Sequence, residues 1–281
     1  MPTHNEQVSF TAQGLVLRRM RYTDLPLARE MFEALEMIHP ATSEDWEWIK
    51  RRLDFALFAE ARYLMTDRIL GQRNVHQVLE LASGLSPRGI VMSSDPAHTY
   101  VEVDLRDEAL LKEAVIKNLV DAGAINLPGP NWRILKGSVT EQSVFADAAA
   151  LFRKEPIGVV CEGLLRYLSF EDKIIMATRI HNLLEIFGGV WITPDIEPLD
   201  DNRQRLRRQQ SMGLCGVNVE ENLFANLAET RKFFEDLGFT IQAIELKEMA
   251  EELVSPERCG FSVQQTNEAL ENKITFVMTV A

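Results

Sequence analysis

The chain contains few cysteines and no long apolar run. Its three cysteines, Cys161, Cys215 and Cys259, are an odd number and lie far apart. They form neither a disulfide framework nor a zinc-binding spacing, and such usage is typical of a reducing compartment. No apolar run reaches the roughly 18 residues that a membrane-spanning helix requires, and residues 1–10 contain no apolar signal segment. We therefore expect a soluble, cytoplasmic protein.

Positive charge is also scarce. The 281 residues include 30 Lys and Arg against 42 Asp and Glu, which gives a net charge of −12. A negative surface repels phosphate backbones and anionic lipid headgroups, so neither nucleic acid nor a membrane is expected as the main partner. The five histidines show no metal-ligand spacing, and no metal site is predicted.

No linker divides the chain, because it lacks a Gly/Ser run, a proline cluster and an internal repeat. Its length and its hydrophobic content of 46% suffice for one large core. We predict a single domain over residues 1–281. Residues 1–70 form a helical N-terminal cover, and residues 71–281 form an α/β core with substrate-covering helices near 200–237.

Apolar strand-like runs alternate with helical segments after residue 70. Strands are predicted near 75–81, 99–104, 132–136, 157–161, 189–193, 239–244 and 273–280. Helices are predicted near 107–122, 141–153, 170–187, 203–212 and 220–237. In the N-terminal extension, one helix is predicted over 25–35 and another from a Thr42-Ser43 cap. Strand-helix alternation indicates a mostly parallel sheet covered on both faces.

One segment has the spacing of a nucleotide-binding unit. A buried strand ends in the turn Ala82-Ser83-Gly84, and the next strand ends in Asp104, 20 residues beyond Gly84. A glycine turn lets backbone approach a ligand, and the acid can bind ribose hydroxyls. The dinucleotide fingerprint of three glycines is incomplete, since only Gly84 and Gly89 are near. The spacing favours a nucleotide or nucleoside cofactor and leaves an ordinary strand-turn-helix open.

A further apolar strand, beginning at Ile157, also ends in an acid, Glu162. With these segments in this order, the chain resembles the leucine carboxyl methyltransferase family of S-adenosyl-L-methionine (SAM) dependent enzymes. That family includes bacterial O-methyltransferases of polyketide-type metabolites. The resemblance covers residues 55–200 and rests on 60–63 (EARY), 80–88 (ELASGLSPR), 102–104 (EVD), 162–168 (EGLLRYL) and 188–195 (GGVWITPD).

The resemblance implies an α/β fold of the Rossmann-like, class I SAM methyltransferase type. Its sheet has seven mostly parallel strands, with the last strand antiparallel beside the sixth. It also implies SAM as methyl donor and S-adenosyl-L-homocysteine (SAH) as product. The implied activity is transfer of a methyl group to a carboxylate or hydroxyl of a small metabolite.

The resemblance assigns the SAM ribose to Asp104 and the close approach of the methionine tail to Gly84. Glu102 alternates with Asp104 on the same face of the strand and is the second candidate for the ribose. An alternative role for Asp104 is the N-cap of the helix that starts near Asp107. For Gly84 the alternative is a purely structural turn.

Arg62 matches the family arginine that holds the SAM carboxylate, a task suited to a guanidinium; the alternative is a solvated arginine on an amphipathic helix. Glu162 matches the position that approaches the SAM ammonium; the alternative is a buried acid that serves the structure. Glu80 lies inside a strand, where a lone acid is costly without a cation or donor. We therefore expect Glu80 to pair with Arg62 or with a backbone amide.

Two places depart from the family pattern. The turn after the third strand lacks the Asp that often binds adenine, so backbone near Val139 or the Thr140 hydroxyl is predicted to do so. Ser86-Pro87 stands where many relatives have Asp-Thr. On the substrate side, Tyr167, Asp195 and Arg203 are weaker candidates, the last as part of a clamp for an anionic substrate.

Two other functions stay open. An NAD(P)-dependent oxidoreductase also places an acid about 20 residues after a glycine turn. A non-catalytic relative would bind SAM and act through protein contacts. No catalytic base is predicted, because a carboxylate acceptor is already ionised at neutral pH.

Overall fold

The computed structural model describes residues 4–196, 198–199 and 220–280. The N-terminal extension is helical, as predicted, and contains α1 (His4–Tyr22), α2 (Ala28–Glu36), α3 (Ser43–Lys50) and α4 (Asp54–Gln72). α3 begins at the predicted cap: the Thr42 hydroxyl accepts from the Asp45 amide, and the Asp45 carboxylate accepts from the Thr42 amide. A break at residues 51–53 then separates α3 from α4.

All seven predicted strands are present, each within three residues of its predicted ends. They are β1 (Gln77–Leu81), β2 (Thr99–Asp104), β3 (Trp132–Lys136), β4 (Ile157–Cys161), β5 (Gly189–Ile196), β6 (Thr240–Glu245) and β7 (Ile274–Thr279). The helices between and after them are α5 (Arg88–Ser93), α6 (Arg106–Asp121), α7 (Gln142–Leu151), α8 (Phe170–Phe187), α9 (Leu227–Asp236), α10 (Ser255–Cys259) and α11 (Val263–Leu270).

The helix predictions were less complete than the strand predictions. The short helices α5, α10 and α11 were not predicted. The predicted helix 220–237 is a 3-10 turn at Glu220–Asn222 followed by α9, and the predicted helix 203–212 lies outside the described residues. Short helices such as α5 have too few turns to show a helical period in the sequence.

The seven strands form one sheet in the order β3-β2-β1-β4-β5-β7-β6. β1 pairs in parallel with both β2 and β4, and β2–β3 and β4–β5 are also parallel. β7 lies between β5 and β6 and is antiparallel to both. The predicted antiparallel last strand is thereby confirmed, and its place next to β6 is confirmed as well.

Helices cover both faces of the sheet. On one face, Leu79, Val159 and Trp191 pack against apolar residues of α7, α8 and α9. On the other face, Val78 and Val160 pack against α4 and the C-terminal helices. The central strands β1 and β4 are buried along their whole length. β4 accordingly reads as a continuous apolar run, whereas β1 also buries the polar residues Gln77 and Glu80.

The helices α1 and α2 pack beside the carboxyl end of β1. Val16 and Met31 share a buried cluster with Leu85, in the turn after β1, and with Val115 of α6. The Asn118 amide also donates to the Ala34 carbonyl at 3.1 Å, which ties α6 to α2. This packing holds α1 close to the loops that follow the strands.

Candidate functional site

The site is built where the strand order reverses. β1 connects onward to β2 on one side, whereas β4, its other neighbour, leads to β5 on the opposite side. The loops after β1 and β4 therefore diverge and leave a crevice at their carboxyl ends, the usual ligand position in open α/β sheets. Gly84 follows β1, Glu162 follows β4 and Asp104 ends β2, so these predicted site residues share one edge of the sheet.

Gly84 and Asp104 are joined by a hydrogen bond. The Gly84 amide donates to Asp104 Oδ2 at 2.6 Å, and the Leu105 amide donates to Oδ1 at 2.8 Å. Gly84 has φ +49°, a left-handed conformation that glycine adopts without strain. Each carboxylate oxygen can accept a second hydrogen bond, so Asp104 retains capacity for a diol.

Asp104 is not a helix cap. α6 begins at Arg106 after Leu105, and no side chain caps it. Burial raises the pKa of the Asp104 carboxyl, and the amides of Gly84 and Leu105 act in the opposite direction. The buried carboxylate therefore orders the turn after β1.

Glu102 occupies a different environment from Asp104. Its side chain is completely buried, and its carboxylate pairs with Lys112 Nζ. It also accepts from Ser83 Oγ at 3.0 Å and from Trp132 Nε1 at 3.1 Å. Glu102 therefore neutralises the buried ammonium of Lys112, which lies on α6, and this ion pair links β2 to α6. The ribose prediction rests on Asp104.

Arg88 is the centre of a buried ion network. Its guanidinium donates to Glu80 Oε1 at 2.8 Å, Asp67 Oδ1 at 2.7 Å and Glu162 Oε1 at 2.5 Å. The other Glu80 oxygen accepts from the Tyr100 hydroxyl at 2.8 Å. The expectation that Glu80 pairs with Arg62 or with a backbone amide was therefore wrong, since its donors are Arg88 and Tyr100. α5 places Arg88 over β1, and this short helix was not predicted.

Glu162 is surrounded by three arginines. Besides Arg88, it has Arg62 Nε at 3.4 Å and Arg19 Nη2 at 4.0 Å from Oε2. Burial would raise the pKa of the Glu162 carboxyl, but the guanidiniums of Arg88, Arg62 and Arg19 outweigh it and hold the pKa below the usual value. Glu162 is consequently an anion at neutral pH.

Arg19 and Arg62 have less negative charge around them than Arg88. Both are buried, and the Nε–H groups of both lack a hydrogen-bond partner among the described residues. Burial lowers the pKa of Arg19, and the neighbouring Arg62 lowers it further, although Glu162 opposes them. The two cations share Glu162, whose other oxygen is bound by Arg88. This end of the crevice can therefore hold an additional anion.

The loop after β4 passes close to Arg62. Gly163 has φ +77°, and a Cβ built there would lie 3.9 Å from Arg62 Nη1. Tyr167 is half-buried at the end of the 3-10 turn Leu165–Tyr167. The backbone of Asp195 lies in β5, but its side chain is outside the described part of the structure, as is all of Arg203.

The loop after β3 lies next to Asp104, since the Gly137 amide donates to the Asp104 carbonyl at 2.9 Å. Val139 packs its side chain into the core, and the Thr140 hydroxyl lies 2.8 Å from Ser138 Oγ. The structure thus brings the predicted adenine loop to the same edge as the crevice.

Arg88, Arg19 and Asp67 are charged residues of the site that were not predicted. A signal for Arg88 existed: Glu80 inside a strand requires a cation, and Arg88 is the first arginine after it. Arg19 gave no comparable signal, because it lies 143 positions before Glu162 and in a helix without a clear apolar stripe.

Lys173 joins two segments beside the loop after β4. Its buried ammonium donates to the carbonyls of Leu168 at 2.5 Å and Asn222 at 2.8 Å. It lies 4.7 Å from the centroid of the Phe170 ring and 5.7 Å from that of Phe224. Burial lowers the pKa of Lys173 to about 8, while Asp172 raises it.

This lowered pKa predicts how stability depends on pH. In the unfolded chain a lysine titrates near 10.4, so between about pH 8 and pH 10 the unfolded state binds more protons than the folded state. The contribution of Lys173 to stability should therefore rise with pH over this range. Urea unfolding of the parent and of Lys173→Met between pH 7 and pH 10 measures it. A difference between the two free energies that stays constant or falls would contradict the expectation.

Among the described helices, none combines the length and the hydropathy that a membrane span requires. Nor does any group of three or more His, Cys, Asp or Glu side chains converge as metal ligands in the described part of the chain. An open depression of about 470 Å³ lies between α6 and the edge strand β3, with Leu127 and Trp132 in its lining. It contains none of the crevice residues, and we assign the site to the crevice.

The fold is the Rossmann-like fold of class I SAM-dependent methyltransferases, as predicted. The chain is similar in structure to a DUF574 family protein from Streptomyces avermitilis MA-4680, with a TM-score of 0.57 and 13% identity over 96% of each chain. It is also similar to magnesium protoporphyrin IX methyltransferase from Synechocystis PCC 6803, solved with bound SAH. Here the TM-score is 0.50 and the identity 10%, over 94% of this chain and 97% of that one. No protein-family model matches the sequence, and no curated protein matches it.

Proposed function

We propose that the protein is a SAM-dependent O-methyltransferase that methylates a carboxylate or hydroxyl of a small metabolite. One observation carries the proposal: a glycine turn bonded to Asp104 lies at the same switch point as the arginines around Glu162. These are the groups that a ribose diol and an amino-acid tail require. The fold and its SAH-bound neighbour support the same ligand.

The residues can be matched to the parts of SAM. Asp104 accepts from the ribose hydroxyls, and the backbone at Gly84 passes beside the methionine tail. Arg62 holds the SAM carboxylate, and Glu162 accepts from the ammonium. The adenine lies against the loop of Val139 and Thr140. In this assignment Glu102 does not contact SAM, and its ion pair with Lys112 links β2 to α6.

When bound, SAM supplies an electrophilic methyl group on a sulfonium. The chain then has to position an acceptor in line with that methyl and to exclude water. We propose that the helices of residues 1–70 act as a cover, because α1 contributes Arg19 to the crevice. A carboxylate acceptor would need no general base, since it is already ionised.

Membership of the leucine carboxyl methyltransferase family is part of the proposal. The segments from Arg62 to Glu162 that carry the resemblance meet in the crevice, and Arg88 ends one of them. We propose a small-molecule acceptor in preference to nucleic acid, because the net charge is −12. A cytoplasmic location accords with the cysteine usage.

The test is ligand-dependent stability. SAH at a hundredfold excess over its Kd is expected to stabilise the folded chain by about 2.7 kcal/mol, because it binds only the folded state. Thermal and urea unfolding with SAM, SAH, NADH and no ligand measure this effect. Stabilisation by NADH alone would favour the oxidoreductase instead. If neither SAM nor SAH shifts unfolding of the folded protein, the proposal fails.

Binding is separated from catalysis by a transfer assay. With SAM carrying a labelled methyl group, a panel of small carboxylic acids and phenols should reveal label in product and formation of SAH. A chain that binds SAM tightly and transfers no label to any acceptor would fit the non-catalytic relative.

A further inference from the structure

The short helix α10 lies between the two helices that carry the free cations of the crevice. Its Cys259 packs in one apolar cluster with Leu17 of α1 and Ala56 of α4. α1 carries Arg19 and α4 carries Arg62, and both arginines approach the same carboxylate after β4. A segment close to the carboxyl terminus therefore contacts both cation-bearing helices.

Glu60 fixes α10 to α4. Its carboxylate is buried and accepts from the Ser255 amide at 2.9 Å and from the Val254 amide at 3.3 Å. Breaking either bond would leave a buried polar group unsatisfied, which is costly. Glu60 is in the same helix as Arg62 and only one residue separates them. The position of α10 is thus set relative to the helix of Arg62.

Arg258 joins α10 to the carboxyl end of α1. Its Nη1 donates to the Thr23 carbonyl at 2.7 Å, and its Nη2 donates to Asp24 Oδ1 at 2.5 Å. The Asp24 side chain is 68% exposed, so the ion pair contributes little. Thr23 is buried, and the charge-assisted bond to its carbonyl is the stronger tie. A cation at the carboxyl end of a helix is also favoured by the helix dipole.

Thr23 connects this contact to Arg19. The amide and the hydroxyl of Thr23 both donate to the Arg19 carbonyl, at 3.1 Å and 2.7 Å. The backbone from Arg19 to Thr23 is therefore one closed turn, and Arg258 binds the carbonyl at its end. A chain of direct contacts runs from Arg258 through Thr23 to Arg19, whose guanidinium lies 4.0 Å from Glu162.

Arg19 requires such support because other guanidiniums surround it. Burial lowers the pKa of Arg19, and the charges of Arg62 and Arg88 lower it further, although Glu162 opposes them. Like charges repel each other, and the one carboxylate near Arg19 is shared with the two other arginines. The backbone contacts at the end of α1 hold Arg19 in place against this repulsion.

We infer that Arg258 is a positioning residue for the methionine-tail end of the crevice, because it fixes the carboxyl end of α1 and thereby keeps Arg19 beside Arg62. The inference rests on the proposed function, since the SAM carboxylate is the anion that these two arginines attract. Among the described residues, the hydrogen bonds of Arg258 go to Thr23 and Asp24, outside the crevice. Its effect on the cofactor passes through α1.

The test compares SAM with adenosine, which has no amino-acid tail. In calorimetric titrations of the full chain, Arg258→Met is expected to weaken SAM roughly three- to tenfold, the range of one net hydrogen bond, and to leave adenosine unchanged. Arg258→Lys retains a cation for the Thr23 carbonyl and should restore part of the SAM affinity. Asp24→Asn removes only the exposed charge and should bind both ligands like the parent.

A double variant shows whether Arg258 acts through Arg19. If it does, Arg19→Met combined with Arg258→Met should lose no more SAM affinity than Arg19→Met alone. The inference is overturned if Arg258→Met binds SAM like the parent, if it loses SAM and adenosine equally, or if the two losses add. A parent chain that binds neither SAM nor SAH would overturn the proposed function, and this inference with it.

Discussion

Replacing Arg88 by methionine is expected to destabilise the fold by about 3–5 kcal/mol, the usual cost of breaking a buried ion pair by removing one partner. The Arg88 side chain is completely buried and contacts the carboxylates of Asp67, Glu80 and Glu162. Burial already raises the pKa of the Glu80 carboxyl, and Arg88 opposes that rise. Without the guanidinium, Glu80 would be buried with only the Tyr100 hydroxyl as its donor among the contacts described here.

Urea unfolding at pH 7 measures this loss. The matched control is Arg68→Met, which removes an arginine of α4 paired with Glu252 at the surface, and its cost should not exceed about 1 kcal/mol. Should Arg88→Met lie within 1 kcal/mol of the parent, the network would be unnecessary to the fold.

The network also links the fold to the site. Arg88 connects α4, β1 and the loop after β4, and its Glu162 contact determines where that carboxylate lies relative to Arg62. A stability defect at Arg88 should therefore be accompanied by a binding defect. Arg88 acts here as a positioning residue, and its own guanidinium is fully engaged by protein carboxylates.

A second large effect is expected when the ribose end and the carboxylate end of the SAM site are tested by separate mutations. Asp104→Ala should weaken both SAM and adenosine by about 1.5–3 kcal/mol, the range for a hydrogen bond to a charged group. Arg62→Met should weaken SAM by a similar amount and leave adenosine almost unchanged, because adenosine lacks the carboxylate. Calorimetric affinities of both ligands for both variants test this pattern.

Controls guard against general damage to the fold. Asp104→Asn keeps the size of the side chain but has one acceptor oxygen, so it can accept from only one of the amides of Gly84 and Leu105, and it should lose part of the binding that Asp104→Ala loses. Arg52→Met removes an arginine that is paired with Asp54 away from the crevice residues, and it should bind both ligands like the parent. Equal losses of SAM and adenosine in Arg62→Met would show that Arg62 supports the fold in general. Unchanged binding in Asp104→Ala would move the ribose role to another residue.

The sequence by itself determined the sheet. β2 and β4 were predicted to the residue, because a buried strand is a short, mostly apolar run between polar or turn residues and needs no knowledge of its neighbours. The proximity of Gly84 to Asp104 was also predictable, since one right-handed β-α-β unit brings the turn after its first strand to the end of its second.

The tertiary structure alone decided which charges pair. Glu80 visibly required a cation, yet Arg62 and Arg88 were both available in the sequence, and only the packing of α5 over β1 selected Arg88. Arg19 reaches Glu162 because α1 packs beside the crevice, and Arg258 reaches Thr23 because α10 packs beside α1. Burial produces a periodic pattern of apolar residues that can be seen in the sequence. An ion pair depends on which distant elements come within about 4 Å of each other, and no local sequence pattern indicates that distance.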